Sequence, residues 1–226
     1  MSFTVRVWDL PTRVFHWALV AGVIGLVSTG QVGGAAMAWH FRFGYAVLSL
    51  LLFRLIWGMV GGRWSRFASF VYSPAIMLRY LKGQGLPEQA IGHNPLGAGS
   101  VFAMLGFLLM QVATGLISDD EIAAAGPFSS YVSSALVRNA TFYHRNIGKY
   151  ILIGLMLLHL GAISFYFYKK RENLLRPMIW GDKETAIDVQ SSRDDAGSRT
   201  LALAILLGCL SLVLGLINWA AKATGN

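Results

Sequence analysis

The chain has 226 residues, of which 55% are hydrophobic and only 13% are charged, and its mean hydropathy is +0.53. Soluble globular domains carry about 25% charged residues, so this composition excludes an ordinary soluble protein and indicates an integral membrane protein. A single cysteine, Cys209, excludes a disulfide framework within one chain, and no C-x-x-C-H motif offers covalent haem attachment.

Five apolar stretches are long enough to cross a bilayer, whose hydrocarbon core of about 30 Å needs roughly 20 helical residues. They predict an all-α integral membrane helical bundle with spans over 14–32, 40–60, 96–118, 142–168 and 201–221. Shorter helices are expected at 74–82, lying along the membrane surface, and at 128–137. Residues 181–199 are rich in Asp, Ser and Arg, which predicts a mobile linker.

The charges of the loops predict the orientation of the spans. Basic residues fill the loops after the second and fourth spans, among them Arg63, Arg66, Arg79, Lys82, Lys169, Lys170, Arg171 and Arg176, whereas the segment after the third span opens with Asp119, Asp120 and Glu121. By the positive-inside rule the N-terminus is cytoplasmic and the acidic segment is outside. Because the net charge of +8 follows these loops and not one face, it indicates anionic membrane lipid and no nucleic acid as partner.

Four of the five histidines, His16, His40, His144 and His159, fall at the ends of predicted spans or within them. An imidazole inside a membrane is costly and usually has a partner or a ligand. His144 and His159 are 15 residues apart, so on one helix their directions differ by about 60° and their depths by about 22 Å. By depth, His40 then pairs with His144 and His16 with His159.

Two sites with two imidazoles each fit two haem b groups with bis-histidine axial ligation. Zinc is a poorer match because it needs third and fourth ligands. The alternative is four histidines that hydrogen bond between helices and bind no metal. Arginines near the histidines or within a span could pair with the haem propionates: we expect Arg42 and Arg145 at the outer haem and Arg13 and Arg54 toward the inner end. The alternative for these is snorkelling to lipid phosphate.

Four motifs in order resemble a known family: VWDLPTRVFHW at 7–17, GHNPLG at 92–97, TGLISDD at 114–120 and LLHLGAISFY at 157–166. From about residue 5 to 181 they resemble the bacterial cytochrome b-561 family, which includes the b-type cytochrome subunits of nickel-iron hydrogenases. The resemblance implies a di-haem electron-transfer protein of the bacterial inner membrane, ligated by the same four histidines, together with quinone chemistry. It also implies a four-helix core over 1–180, a cytoplasmic linker at 181–199 and a peripheral fifth helix within 200–226.

His93 fits neither histidine pair. It lies in the GHNPLG loop, where Asn94 and Pro95 suit the start of a helix. One hypothesis places His93 and Asn94 in a site for the quinone head group. The alternative is a capped loop histidine that faces solvent.

The main functional hypothesis is a conduit for electrons between the quinone pool and a periplasmic partner, either a c-type cytochrome or a hydrogenase-like protein. A second is a stand-alone membrane oxidoreductase, similar to superoxide oxidases, in which Arg42, Arg138 and Arg145 border an exposed outer haem and quinone is reduced from a small periplasmic reactant. A third is a membrane anchor without haem.

Overall fold

The computed structural model describes residues 2–122 and 124–223. In chain order its elements are β1 (Phe3–Arg6), α1 (Leu10–Val32), α2 (Met37–Val60), α3 (Pro74–Leu81), α4 (Pro95–Leu116), α5 (Ser134–Tyr143), α6 (Lys149–Tyr168), α7 (Leu175–Trp180), β2 (Asp182–Thr185) and α8 (Ala196–Ala223). A π-helical turn, His144–Gly148, joins α5 to α6.

The five predicted membrane helices are confirmed. The helices long and apolar enough to cross a membrane are Leu10–Val32, Gly34–Val60, Pro95–Leu116, Ser134–Tyr168 and Ala196–Ala223. The fourth is 35 residues long because α5, the π-helical turn and α6 follow one another without a break. The separate short helix expected at 128–137 is therefore wrong: a 3₁₀ turn occupies Ser129–Tyr131, and α5 begins at Ser134 after the Ser133 hydroxyl accepts the Leu136 N–H at 3.4 Å.

Short polar side chains begin the helices that the argument below uses. The Thr12 N–H donates to Asp9 Oδ1 at 2.8 Å at the start of α1, and the Gly97 N–H donates to Asn94 Oδ1 at 2.8 Å at the start of α4. These bonds satisfy N–H groups that have no acceptor within the first helical turn. The predicted start of α4 at Asn94 and Pro95 is confirmed.

Residues 181–199 are not the mobile segment that their composition predicts. β2 pairs with β1 in an antiparallel two-stranded sheet, in which Phe3 faces Thr185 and Arg6 faces Asp182. Ile187 and Val189 then pack against a buried cluster formed by Val5, Val7, Trp8 and Ile91. The spacing of two residues explains this packing, because alternate side chains of an extended chain point to the same side.

The chain divides into two compact units. Unit 1 comprises the described residues of Met1–His16, Arg54–Ala103 and Leu155–Ile205; unit 2 comprises those of Trp17–Phe53, Met104–Gly154 and Leu206–Asn226. Unit 1 contains the sheet and its buried cluster. Unit 2 contains the π-helical turn and the glycine turn between α1 and α2, where Gly33 and Gly34 have φ of 66° and 53°.

Candidate functional site

His40 and His144 lie together in unit 2. Their ring centroids are 6.1 Å apart and the ring planes are inclined at 84°. Each Nδ1 contacts a backbone carbonyl: His40 Nδ1 is 3.0 Å from Leu26 O, and His144 Nδ1 is 2.8 Å from Gln111 O. A carbonyl oxygen only accepts hydrogen bonds, so both Nδ1 atoms carry the proton and both Nε2 atoms keep a lone pair for a ligand.

The spacing of these two rings fits one metal ion between them. Imidazole nitrogens bind first-row metals at about 2 Å, so two imidazoles in line across one metal have centroids roughly 6 Å apart. Within the described residues, no group of three or more His, Cys, Asp and Glu is placed to hold a metal ion. A haem iron needs only the two axial imidazoles from the protein, because the macrocycle supplies the remaining nitrogens.

Gln111 of α4 supports His144 in two ways. Its carbonyl accepts the His144 Nδ1–H, and its side-chain Nε2 donates to His144 O at 2.9 Å. Sequence reasoning missed this residue. The available signal was that Gln111 is the one side-chain amide in a mostly apolar predicted span.

Glycines give the two rings their space. A Cβ at Gly115 would lie 2.7 Å from His144 Cε1, and one at Gly30 would lie 3.2 Å from His40 Cε1. In the π-helical turn, a Cβ at Gly148 would collide with Gln111 Oε1. π-helical turns often mark functional positions, and this one begins at the candidate ligand His144.

Unit 2 contains unpaired polar atoms among its described buried side chains. Gln111 Oε1 and Tyr143 OH are buried and have no hydrogen-bond partner among the described residues. Such atoms are costly in an apolar surround, so they fit a site that is completed by a bound group. Arg42 and Arg145 lie in the same unit and are exposed, and the Arg42 guanidinium stands 4.8 Å from the centroid of the Trp39 ring.

Unit 1 contains His16 on α1, His159 on α6 and His93 in the loop before α4. His16 and His159 interact electrostatically. Burial, together with the positive charge of Arg54, lowers the pKa of His93 to about 3. His93 is therefore neutral near pH 7.

The surroundings of His93 differ from those of a solvent-facing loop histidine. Its ring lies 4.6 Å from the Trp8 ring and 4.4 Å from the Phe70 ring, measured between centroids. Its Nδ1 atom is buried and has no hydrogen-bond partner within the described part of the chain. Beside it, Asn94 Nδ2 donates to Tyr166 OH at 2.8 Å, and Tyr166 OH is 3.0 Å from Tyr80 OH. Sequence reasoning missed both tyrosines, which lie 86 residues apart.

Two of the predicted arginines lie in unit 1. Arg54 is 3% exposed and its guanidinium stands 4.6 Å from the centroid of the Phe67 ring. Arg13 donates from Nη1 to Ile179 O at 2.6 Å. The structure gives no partner among the described residues for the buried Arg54 Nη1 and Arg13 Nε atoms. Buried guanidinium N–H groups of this kind fit the carboxylate of a bound acidic group such as a haem propionate.

Most of the chain is similar to one family of known proteins. Residues 7–181 match the family described as prokaryotic cytochrome b561. The chain is 23% identical to a probable Ni/Fe-hydrogenase B-type cytochrome subunit of Bradyrhizobium diazoefficiens, over 80% of this chain and 86% of that protein. The corresponding protein of Rhodobacter capsulatus is 25% identical, over 80% and 81%.

A shorter match has a similar name. The probable Ni/Fe-hydrogenase 1 B-type cytochrome subunit of Escherichia coli K12 is 30% identical over 47% of this chain and 55% of that protein. Five helices are long and apolar enough to cross a membrane, which agrees with the match to the family over most of the chain. The chain therefore belongs to the prokaryotic cytochrome b561 family and is a multi-pass membrane b-type cytochrome that serves in electron transfer.

Proposed function

We propose that the chain holds two haem b groups, one between His40 and His144 in unit 2 and one between His16 and His159 in unit 1. The observation that carries the proposal is the His40–His144 pair: 6.1 Å between ring centroids, with each Nδ1 on a carbonyl and each Nε2 left for iron. Haem supplies reversible one-electron chemistry when bound. The protein residues hold the rings, set their tautomers and surround them with apolar side chains.

The site of quinone exchange is proposed at His93 and Asn94 in unit 1. A neutral imidazole with a buried Nδ1 lacking a hydrogen-bond partner in the described chain can donate to a quinone carbonyl or accept from a quinol hydroxyl. The Asn94–Tyr166–Tyr80 hydrogen bonds place further hydroxyl groups beside it. Electrons would pass from this site to the haem of unit 1.

The charges of the loops and the names of the relatives support the partner and the orientation. By the positive-inside rule, the basic loops support a cytoplasmic N-terminus in a bacterial inner membrane and a periplasmic position for the acidic segment that begins at Asp119. The relatives carry the names of Ni/Fe-hydrogenase subunits, which supports a hydrogenase-like protein, or a c-type cytochrome, as the periplasmic partner. The predicted division into a core at 1–180, a connecting segment at 181–199 and a fifth helix within 200–226 is retained as part of the proposal.

Single histidine substitutions test the ligand set. His40→Ala and His144→Ala should each remove the same one of two haems, and His16→Ala and His159→Ala should each remove the other. The measurement is haem content per chain together with dithionite-reduced spectra of purified protein. A colourless, folded wild type, or four substitutions that do not fall into these two pairs, would contradict the assignment.

The quinone site needs a separate measurement. His93→Phe should slow quinol-driven haem reduction by at least tenfold while both haems stay bound, since the ring would still fill the space between Trp8 and Phe70. Unchanged reduction by quinol would place the quinone elsewhere. Fast haem reduction by superoxide alone would support the stand-alone oxidoreductase instead.

A further inference from the structure

The start of α1 is tied down by residues that follow the part of the chain matched by the family. That match ends at residue 181. The next residues form β2, which pairs with β1, and then run alongside the chain that leads into α1. Gly181 O accepts the N–H groups of Val7 and Trp8 at 2.9 and 3.0 Å.

Ser192 forms hydrogen bonds with the backbone of the residues that precede α1. Its N–H donates to Arg6 O at 2.7 Å, and its hydroxyl donates to Val7 O at 2.8 Å. The same hydroxyl oxygen accepts the Trp64 N–H at 3.2 Å. Ser192 is 5% exposed, so these bonds are shielded from water and tie three parts of unit 1 together.

Asp194 binds the first residue of α1 directly. Its side chain is 6% exposed; Oδ1 accepts the Leu10 N–H at 3.1 Å and Arg199 Nε at 3.0 Å, and Oδ2 accepts Arg6 Nη1 at 2.7 Å. Asp9 Oδ1 accepts the Thr12 N–H in the same helical turn. The free N–H groups and the dipole at a helix start favour anions, so both carboxylates stabilise α1 in one position.

We propose that residues 182–195 form a clasp that fixes the start of α1 and so orients the His16 ring, with Asp194 and Ser192 as its positioning residues. His16 lies six residues beyond Leu10, about 9 Å along the helix, so a shift at the start of α1 moves the imidazole with it. The inference rests on the proposed function, in which His16 is an axial ligand. It adds that residues after 181, where the match to the family ends, set the orientation of the His16 ring at that haem.

The test uses the full-length protein with its haems. Ser192→Ala removes the hydroxyl without changing charge, and Asp194→Asn removes the carboxylate. Arg193→Gln is the matched control, because Arg193 is an exposed partner of Asp195 in the same segment. The readout is the low-spin ferric electron paramagnetic resonance signal of each haem, which reports the relative orientation of its two imidazole planes.

Ser192→Ala and Asp194→Asn should shift or split the one haem signal that His16→Ala abolishes and leave the other unchanged; Arg193→Gln should change neither. If Asp194→Asn does not accumulate, Ser192→Ala decides. Wild-type signals in Ser192→Ala, or equal changes in both haem signals, would overturn the clasp while leaving His16 as a ligand. If His16→Ala keeps both signals, the ligand assignment fails and the clasp fails with it.

Discussion

Gly115→Ala is expected to weaken haem binding in unit 2. The added Cβ would lie 2.7 Å from His144 Cε1 and 3.1 Å from Nδ1, whereas ordinary contacts begin at 3.4 Å. The ring or α4 must therefore move by about 0.7 Å. The ring does not move freely, because its Nδ1–H is bonded to Gln111 O at 2.8 Å.

The expected magnitude follows from two opposing contributions. Forcing an extra methyl group into a packed site costs about 1–3 kcal/mol. Replacing glycine by alanine in a helix returns roughly 0.5–1 kcal/mol. The difference is a net loss of about 0–2.5 kcal/mol, and its midpoint corresponds to haem binding that is roughly tenfold weaker.

Two other glycines provide a graded control series. A Cβ at Gly30 would lie 3.2 Å from His40 Cε1, so Gly30→Ala needs a shift of only about 0.2 Å. A Cβ at Gly106, on the same helix as Gly115, meets nothing within 4 Å. Haem loss should therefore rank Gly115→Ala first, Gly30→Ala second, and Gly106→Ala with the wild type.

The assay is transfer of haem from each purified variant to an excess of an apo-globin acceptor, followed by absorbance. Electron paramagnetic resonance adds a check on geometry: rings inclined at 84° should give a strongly anisotropic low-spin signal in the wild type, and Gly115→Ala should change it. Equal haem retention in Gly115→Ala and Gly106→Ala would refute the reasoning. It would mean that the His144 ring is not held at the position described.

Two further predictions concern hydrogen bonds. Gln111→Leu leaves the His144 carbonyl without its side-chain donor, which should cost about 1–3 kcal/mol and lower the unfolding midpoint of the haem-loaded protein; an unchanged midpoint would contradict the role of Gln111. Burial raises the pKa of Asp194, but hydrogen bonds from Arg199, the Leu10 N–H and Arg6 outweigh it and hold that pKa below its ordinary value. The stability from Asp194 is then present above about pH 3.9 and lost as the pH falls through the folded pKa. As the pH falls below about 3.9, the wild type should therefore lose more stability than Asp194→Asn; parallel losses would contradict it.

The membrane helices could be predicted because their signal is local. A run of about 20 apolar residues that crosses a membrane must satisfy its backbone N–H and C=O groups by helical hydrogen bonds, wherever it stands in the chain. The same regularity was used to predict the relative depths of His144 and His159 on the fourth span, and those depths stay a prediction. No local signal marked the π-helical turn at His144–Gly148, where a Cβ at Gly148 would collide with Gln111 of a different helix.

The prediction of a mobile linker at 181–199 was wrong because composition records the charged residues but not the residues with which they pair. Asp, Ser and Arg are typical of solvated loops, and the prediction of a mobile linker follows from that average. Asp194 is nevertheless buried, because Arg6, 188 residues away, pairs with it. A partner at that separation leaves no trace in a sequence window, and β1 was missed for the same reason: its four residues form a strand only when β2 lies beside them.

The two units hold their histidines by different means, and the difference decides how each candidate haem responds to substitution. In unit 2 the rings are fixed directly, by hydrogen bonds from Nδ1 to Leu26 O and Gln111 O. A substitution in unit 2 should act through a single contact with a histidine ring, as Gly115→Ala does with His144. In unit 1, hydrogen bonds to Asp9 and Asp194 fix the start of α1, the helix that carries His16. Substitutions far along the chain from His16 should therefore alter the haem proposed in unit 1. Surface substitutions equally far along the chain from His40 and His144 should leave the haem proposed in unit 2 unchanged.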